Sequence, residues 1–100
     1  MRIPIQSVTD LGLAVRAVRR YSHVRIDDLA ATAGVSKQFT QDVEHGKPTV
    51  QLGRVLKLLA ELGLPLELDI PDEAAHALTT LRIGVSARDT TVPALSKRRP

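Results

Sequence analysis

A chain of 100 residues, 43% of them apolar, allows one domain or a smaller domain with a tail. Only Tyr21 and Phe39 are aromatic, so the core must be aliphatic, and a core this small gains from dimerisation. The absence of cysteine excludes disulfides and cysteine-based zinc sites and fits a reducing cytoplasmic setting.

No apolar run approaches a membrane span, and no basic segment followed by a hydrophobic stretch marks a signal peptide. The net charge of +3 suits an anionic partner only weakly. Its distribution says more. Arg2, Arg16, Arg19, Arg20 and Arg25 stand against Asp10 in residues 1–26. Glu61, Glu67, Asp69, Asp72 and Glu73 fill residues 61–73 with no basic residue among them, and the chain ends on Lys97-Arg98-Arg99. Such separation implies one surface that meets anions and another that does not.

Residues 1–7 read as an extended segment, since Pro4 forbids a helix interior. Ser7 or Thr9 caps a first helix over about 8–21, and Asp10 suits its first turn. Val8, Leu11, Val15 and Val18 form its buried stripe. A second helix over about 26–32 packs through Leu29, Ala30 and Ala33 and ends at Gly34. Val35 plugs the corner. Ser36 then caps a third helix over about 37–45, which Gly46 ends.

Pro48 and Thr49 are expected to start a fourth helix, capped by Thr49. Leu52, Val55, Leu56, Leu59 and Leu62 form its apolar face, and Gly63 stops it. The period then changes to two. Leu64, Leu66, Leu68 and Ile70 alternate with Pro65, Glu67 and Asp69, which predicts a strand over 64–70. A lone strand is not viable, so it must pair with Arg2–Ile5 or with its copy in a second subunit; the second pairing is favoured. Residues 71–100 read as a weakly ordered, basic tail, with a weak helix over 71–82 and disorder beyond Gly84.

The stretch 29–47 has the form of a helix-turn-helix, whose second helix enters the major groove of duplex DNA. Such a helix needs polar side chains towards the bases and an apolar side towards its scaffold. The third helix offers Lys37, Gln38, Gln41 and Asp42 outward, with Val43 and either Phe39 or Thr40 inward. Lys37 suits guanine acceptors, and Gln38 or Gln41 suits adenine. Asp42 suits the cytosine amino group, or orients a neighbouring Gln. Ser36, Lys47 and Thr49 flank this helix where phosphate contact is natural. Phe39 is more often core than a wedge against thymine. Asp42 and His45 share metal-ligand spacing, but no third ligand is near, so no metal is expected. No nucleophile–base pair, carboxylate cluster or phosphate-cradling glycine loop points to catalysis, and no cofactor is implied.

Leu29-Ala30, Gly34-Val35-Ser36, Val43-Glu44 and Gly46-Lys47 resemble the Xre/phage-repressor helix-turn-helix family over about residues 8–63. Asp10-Leu11-Gly12, Ser36-Lys37-Gln38-Phe39, Gly46-Lys47-Pro48-Thr49 and Gln51-Leu52-Gly53-Arg54-Val55-Leu56 are closer to the HipB-like antitoxins that accompany HipA-type kinase toxins. The resemblance implies a mainly α, Xre-like bundle of four to five helices followed by a short C-terminal strand. It also implies a homodimer on a palindromic double-stranded operator, autoregulation, and neutralisation of a HipA-type kinase. Leu64, Leu66, Leu68 and Ile70 would be the dimerisation strand, and Arg19 and Glu44 an ion pair tying the first helix to the third.

Three positions depart from the family. Ile26 stands where a phosphate-contacting Gln is usual, and Arg25 stands where the cap is usual and takes over the phosphate contact. Thr40 falls where an aliphatic side chain is buried, which loosens the core unless Phe39 turns inward. A stand-alone Xre-type repressor, or an interaction module that has lost DNA reading, are the competing readings.

Overall fold

A computed structural model describes residues 1–89. Its elements are α1 (Val8–Tyr21), α2 (Ile26–Ala33), α3 (Lys37–Glu44), α4 (Leu52–Glu61), a 3-10 turn (Asp72–Ala74) and α5 (Ala75–Asp89). Contacts divide the chain after Leu66 into a unit holding α1–α4 and a second unit that begins at Glu67.

Local chemistry sets the start of α1. The Ser7 hydroxyl accepts from the Asp10 N–H at 3.1 Å, and the Asp10 carboxylate accepts from the Gln6 N–H at 2.9 Å. Two of the amides that a helix start leaves unpaired, or just precedes, are thus satisfied reciprocally. In the first unit α1 packs on α3, while α2 packs on both α3 and α4. Val15, Leu29, Ala33, Val43, Val55, Leu58 and Leu59 make the buried aliphatic core, with Leu11, Val35 and Phe39 against its edge.

Close packing of α1 on α3 depends on Gly12. A β-carbon there would collide with the Val43 carbonyl oxygen and lie 2.8 Å from that of Glu44. Those carbonyls belong to the last turn of α3 and cannot swing aside as a side chain can.

Helix α4 differs from the expectation at its start and in its buried face. It begins at Leu52, with Gln51 as a cap that makes no side-chain bond; Pro48 and Thr49 lie in the preceding turn. Val50 packs against the core ahead of the first helical residue. The buried face is Val55, Leu58 and Leu59, so Leu58 replaces two expected core residues. Leu52 and Leu56 are 61% and 43% exposed. The apolar arc of α4 is simply wider than its contact with α1–α3.

No strand forms at 64–70; among the described residues there is no strand at all. Leu64 belongs to the end of α4 instead. Its N–H donates to the Leu59 carbonyl at 2.8 Å, and the Gly63 N–H donates to that of Ala60 at 3.1 Å. With Gly63 at φ +71° this is a Schellman closure, in which the residue after the glycine packs back on the helix. Pro65 has no N–H to offer a ladder. From Leu66 to Ile70 the side chains are exposed.

In the second unit the helix expected over 71–82 starts as a 3-10 turn and runs on as α5 to Asp89, through Gly84. The expectation of disorder beyond Gly84 is therefore corrected for residues up to 89. A glycine costs a helix only about 1 kcal/mol, too little by itself to end this one. The basic end at Lys97-Arg98-Arg99 lies outside the described residues.

Gly12→Ala should destabilise the protein by about 2–3 kcal/mol through overpacking, despite the better helix propensity of alanine. Urea unfolding monitored by circular dichroism checks this, and a variant as stable as the wild type would refute the close contact.

Candidate nucleic-acid interface

Three of the eight side chains of α3 are buried: Thr40, Val43 and Glu44. Thr40 is fully buried without leaving an unpaired hydroxyl, since its Oγ1 donates to the Ser36 carbonyl at 3.0 Å. The β-branched body fills the place of an aliphatic, and the back-bond satisfies the polar atom. Phe39 is half-buried against the core edge. The expected loosening at Thr40 has no structural basis.

Glu44 receives a two-pronged bond from α1. Arg19 Nε donates to Oε2 at 2.6 Å and Nη2 to Oε1 at 3.0 Å. Arg19 Nη1 also donates to the Val24 carbonyl at 3.1 Å, tying in the α1–α2 connection. The hydrogen bond to Glu44 raises the Arg19 pKa above its ordinary value, against the opposing effect of burial. A planar guanidinium meeting a carboxylate in this way fixes orientation as well as distance.

The opposite side of α3 faces solvent. The Ser36 hydroxyl caps the helix by accepting from the Phe39 N–H at 3.0 Å. Lys37 and Gln38 are exposed, while Gln41 and Asp42 are half-buried. Lys37, Gln38 and Asp42 already have partners. Gln38 Nε2 donates to Asp42 Oδ1 at 2.9 Å, and Lys47 Nζ lies 3.6 Å from Asp42 Oδ2. Lys37 Nζ lies 3.2 Å from Asp27 Oδ1, and Arg25 Nη2 lies 3.6 Å from Asp27 Oδ2. The Lys37 hydrogen bond, more than any other contact, holds the Asp27 carboxyl below the usual carboxylate range.

Two groups not anticipated from sequence join this face. Asp27 brackets the start of α2 to the start of α3. Arg54, in the first turn of α4, shares a shallow cleft with Phe39, Asp42, Lys47 and Thr49. The spacing of Asp27 and Lys37 carries no periodic signal, because they meet across the turn between α2 and α3. Arg54 was hidden inside a segment that reads as core. Arg25 sits at the N-terminal cap of α2 and makes no side-chain cap bond. Among the described residues no cluster of three or more potential ligands could hold a metal ion, and Asp42 is turned towards Gln38 and Lys47.

Two helices joined at a left-handed glycine, the second capped by serine and polar on its outer side, define a helix-turn-helix domain of Xre-like type. The chain belongs to the HTH-type transcriptional regulators, a family of DNA-binding proteins and not of enzymes. It is 44% identical over 69 residues to the uncharacterised HTH-type transcriptional regulator y4mF of Sinorhizobium fredii, covering 69% of this chain and 91% of that relative. No family model matches the chain. In fold it is similar to HipB, solved as a variant in complex with an O2 20mer, with a TM-score of 0.66 and 24% identity. That match covers 72% of this chain and all of the other. It is also similar to a solved MDT protein, with a TM-score of 0.65 and 24% identity over 71% of this chain and all of the other. No described helix is long and apolar enough to cross a membrane.

Glu44→Ala should cost about 3–5 kcal/mol, because it strands a largely buried guanidinium; a loss below about 1 kcal/mol in chemical denaturation would show that the pair is dispensable. Asp27 provides a pH test. Its depressed folded-state pKa stabilises the α2–α3 corner above the ordinary carboxylate value of about 4, and this is lost as pH falls through the lower folded value. Carboxyl NMR titration should place the Asp27 midpoint below that of a free aspartate, and Lys37→Ala should move it up. An unmoved midpoint would mean that Lys37 is not its partner.

Proposed function

We propose that this regulator reads duplex DNA with the outer side of α3 and works as a homodimer on a palindromic operator in the cytoplasm. The observation that carries the reading is the division of α3 into a locked inner side and an outer side bearing Lys37, Gln38, Gln41 and Asp42. Arg25, Ser36, Lys47 and Thr49 lie around that face and serve as phosphate ligands, with Arg54 beside them at the α4 end. Phosphate contacts set register and salt dependence, and the side chains of α3 supply sequence preference.

Dimerisation through residues 64–70 is supported by the apolar side chains exposed on either side of the α4 closure. Leu56, Leu59, Ala60 and Leu64–Leu66 line an open groove in the first unit. In the second unit Leu68 is 85% exposed and Ile70 42% exposed. On this reading the units are an N-terminal segment (1–7), a DNA-binding domain (8–63), a dimerisation segment (64–70) and a tail (71–100).

The HipB-like motifs in the sequence, together with the HipB-like fold, lead us to place the protein among antitoxins that repress their own operon and neutralise a HipA-type kinase. A kinase gene of that type beside this one, whose product co-purifies with the protein, tests the assignment. The absence of both would favour a stand-alone repressor.

Replacing Lys37 and Gln38 together by Ala should abolish the sequence-specific mobility shift on the protein's own promoter while leaving the helical spectrum intact. Specific binding by that variant would move the reading surface elsewhere. Wild-type binding should fall steeply with salt, with a log–log slope of about −0.9 per phosphate contact. Leu66→Asp with Leu68→Asp should give monomers by light scattering, and a persistent dimer would place the interface outside this segment.

A further inference from the structure

Asp42 is the meeting point of two contacts that serve different purposes. Its Oδ1 takes a hydrogen from Gln38, one turn earlier on α3, and its Oδ2 faces Lys47 beyond the helix end. The backbone fixes this arrangement. Gly46, at φ +76°, closes α3, and the Lys47 N–H donates to the Asp42 carbonyl at 2.9 Å, holding the root of Lys47 beside Asp42. The carboxylate is only 25% exposed, less than half the exposure of Lys47 at 55%. It lies behind the tip of the reading surface rather than at its front.

The chemistry of the Gln38 amide then decides what it can read. A glutamine amide has two N–H donors and one carbonyl acceptor, whereas an ionised carboxylate only accepts. Asp42 must therefore face the nitrogen side of Gln38 and consume one of its donors. The remaining carbonyl and single N–H match adenine, which presents an amino donor beside the N7 acceptor. Guanine presents two acceptors, O6 and N7, and asks for two donors. Gln38 held by Asp42 has only one left.

We infer that Asp42 is a positioning residue: by consuming one N–H of Gln38 it makes that amide selective for adenine over guanine at one base step. The inference rests on the reading of α3 as the helix that enters the major groove, and the test separates the two. Selection from a randomised duplex DNA library, with wild-type protein, Asp42→Ala and Gln38→Ala, measures base preference position by position. The wild type should enrich adenine at a step that Gln38→Ala makes indifferent. Asp42→Ala should keep the other preferred bases and admit guanine at that step, lowering the adenine-over-guanine ratio about ten-fold. Release of Lys47 should strengthen binding to every sequence alike, as a phosphate contact does, so the ratio isolates the effect on Gln38.

An adenine preference unchanged in Asp42→Ala would overturn the positioning role and leave the reading helix standing. Loss of a cytosine preference at another step would show instead that Asp42 reads a base itself. Enriched sequences that do not depend on Gln38 would overturn the inference and leave base reading to Lys37 and Gln41; no enriched sequence at all would overturn the reading helix and the inference with it. In the free protein, amide NMR should show the Gln38 side-chain proton signals moving in Asp42→Ala, and unmoved signals would remove the pair. Asp42→Ser, too short to reach, repeats the test should the alanine variant not fold.

Discussion

The bidentate bond between Arg19 and Glu44 is the interaction on which this structure turns. Helix α3 has only eight residues, too few to be stable in isolation, so it exists because its inner side is held. Arg19 supplies a planar, charged clamp to its last turn, and the same guanidinium fastens the α1–α2 connection at Val24. Gly12 lets α1 come close enough for that clamp to reach. Once Thr40, Val43 and Glu44 are committed inward, helical geometry turns Gln38 and Asp42 outward, while Lys37 is exposed because it stands at the helix start. Scaffold and proposed reading surface are thus two sides of one constraint.

The outer surface is not a row of independent charges. Asp27 sits between Lys37 and Arg25, and Asp42 sits between Gln38 and Lys47. Each carboxylate holds groups suited to DNA in place before DNA arrives. In water such exposed pairs contribute little to stability. Their consequence is orientation: a flexible lysine or glutamine held near one geometry loses less entropy on binding. On the proposed reading, DNA phosphate competes with Asp27 for Lys37 and Arg25, and with Asp42 for Lys47.

The helices of the first unit were legible because each is bounded by chemistry local to the chain. Ser7, Gly34, Ser36, Gly46 and Gly63 mark ends through hydroxyl caps or left-handed backbone, and neither depends on distant contacts. The alternation from Leu64 to Ile70 misled for the same reason in reverse. Period two describes side chains, but a strand needs a backbone partner, and the first of those leucines was already drawn into the closure of α4. The start of α4 was misplaced because Thr49 offers a capping hydroxyl, whereas Val50 must first reach the core. Thr40 looked like a defect because hydropathy ranks its hydroxyl as polar, and only the helix geometry shows that hydroxyl bonded to Ser36.

What the sequence alone determined was the kind of molecule: an aliphatic helix-turn-helix with polar residues on its second helix, a basic segment over residues 1–26 and an acidic stretch after α4. Those features are written in spacing and in side-chain type, which do not require a fold to be read. Tertiary structure decided which polar groups meet. The pairing of Asp27 with Lys37 crosses an interhelical turn. That of Asp42 with Lys47 depends on the way Gly46 folds the chain back. Such contacts depend on distances of a few ångströms between residues with no shared period, so they emerge only once the helices are packed.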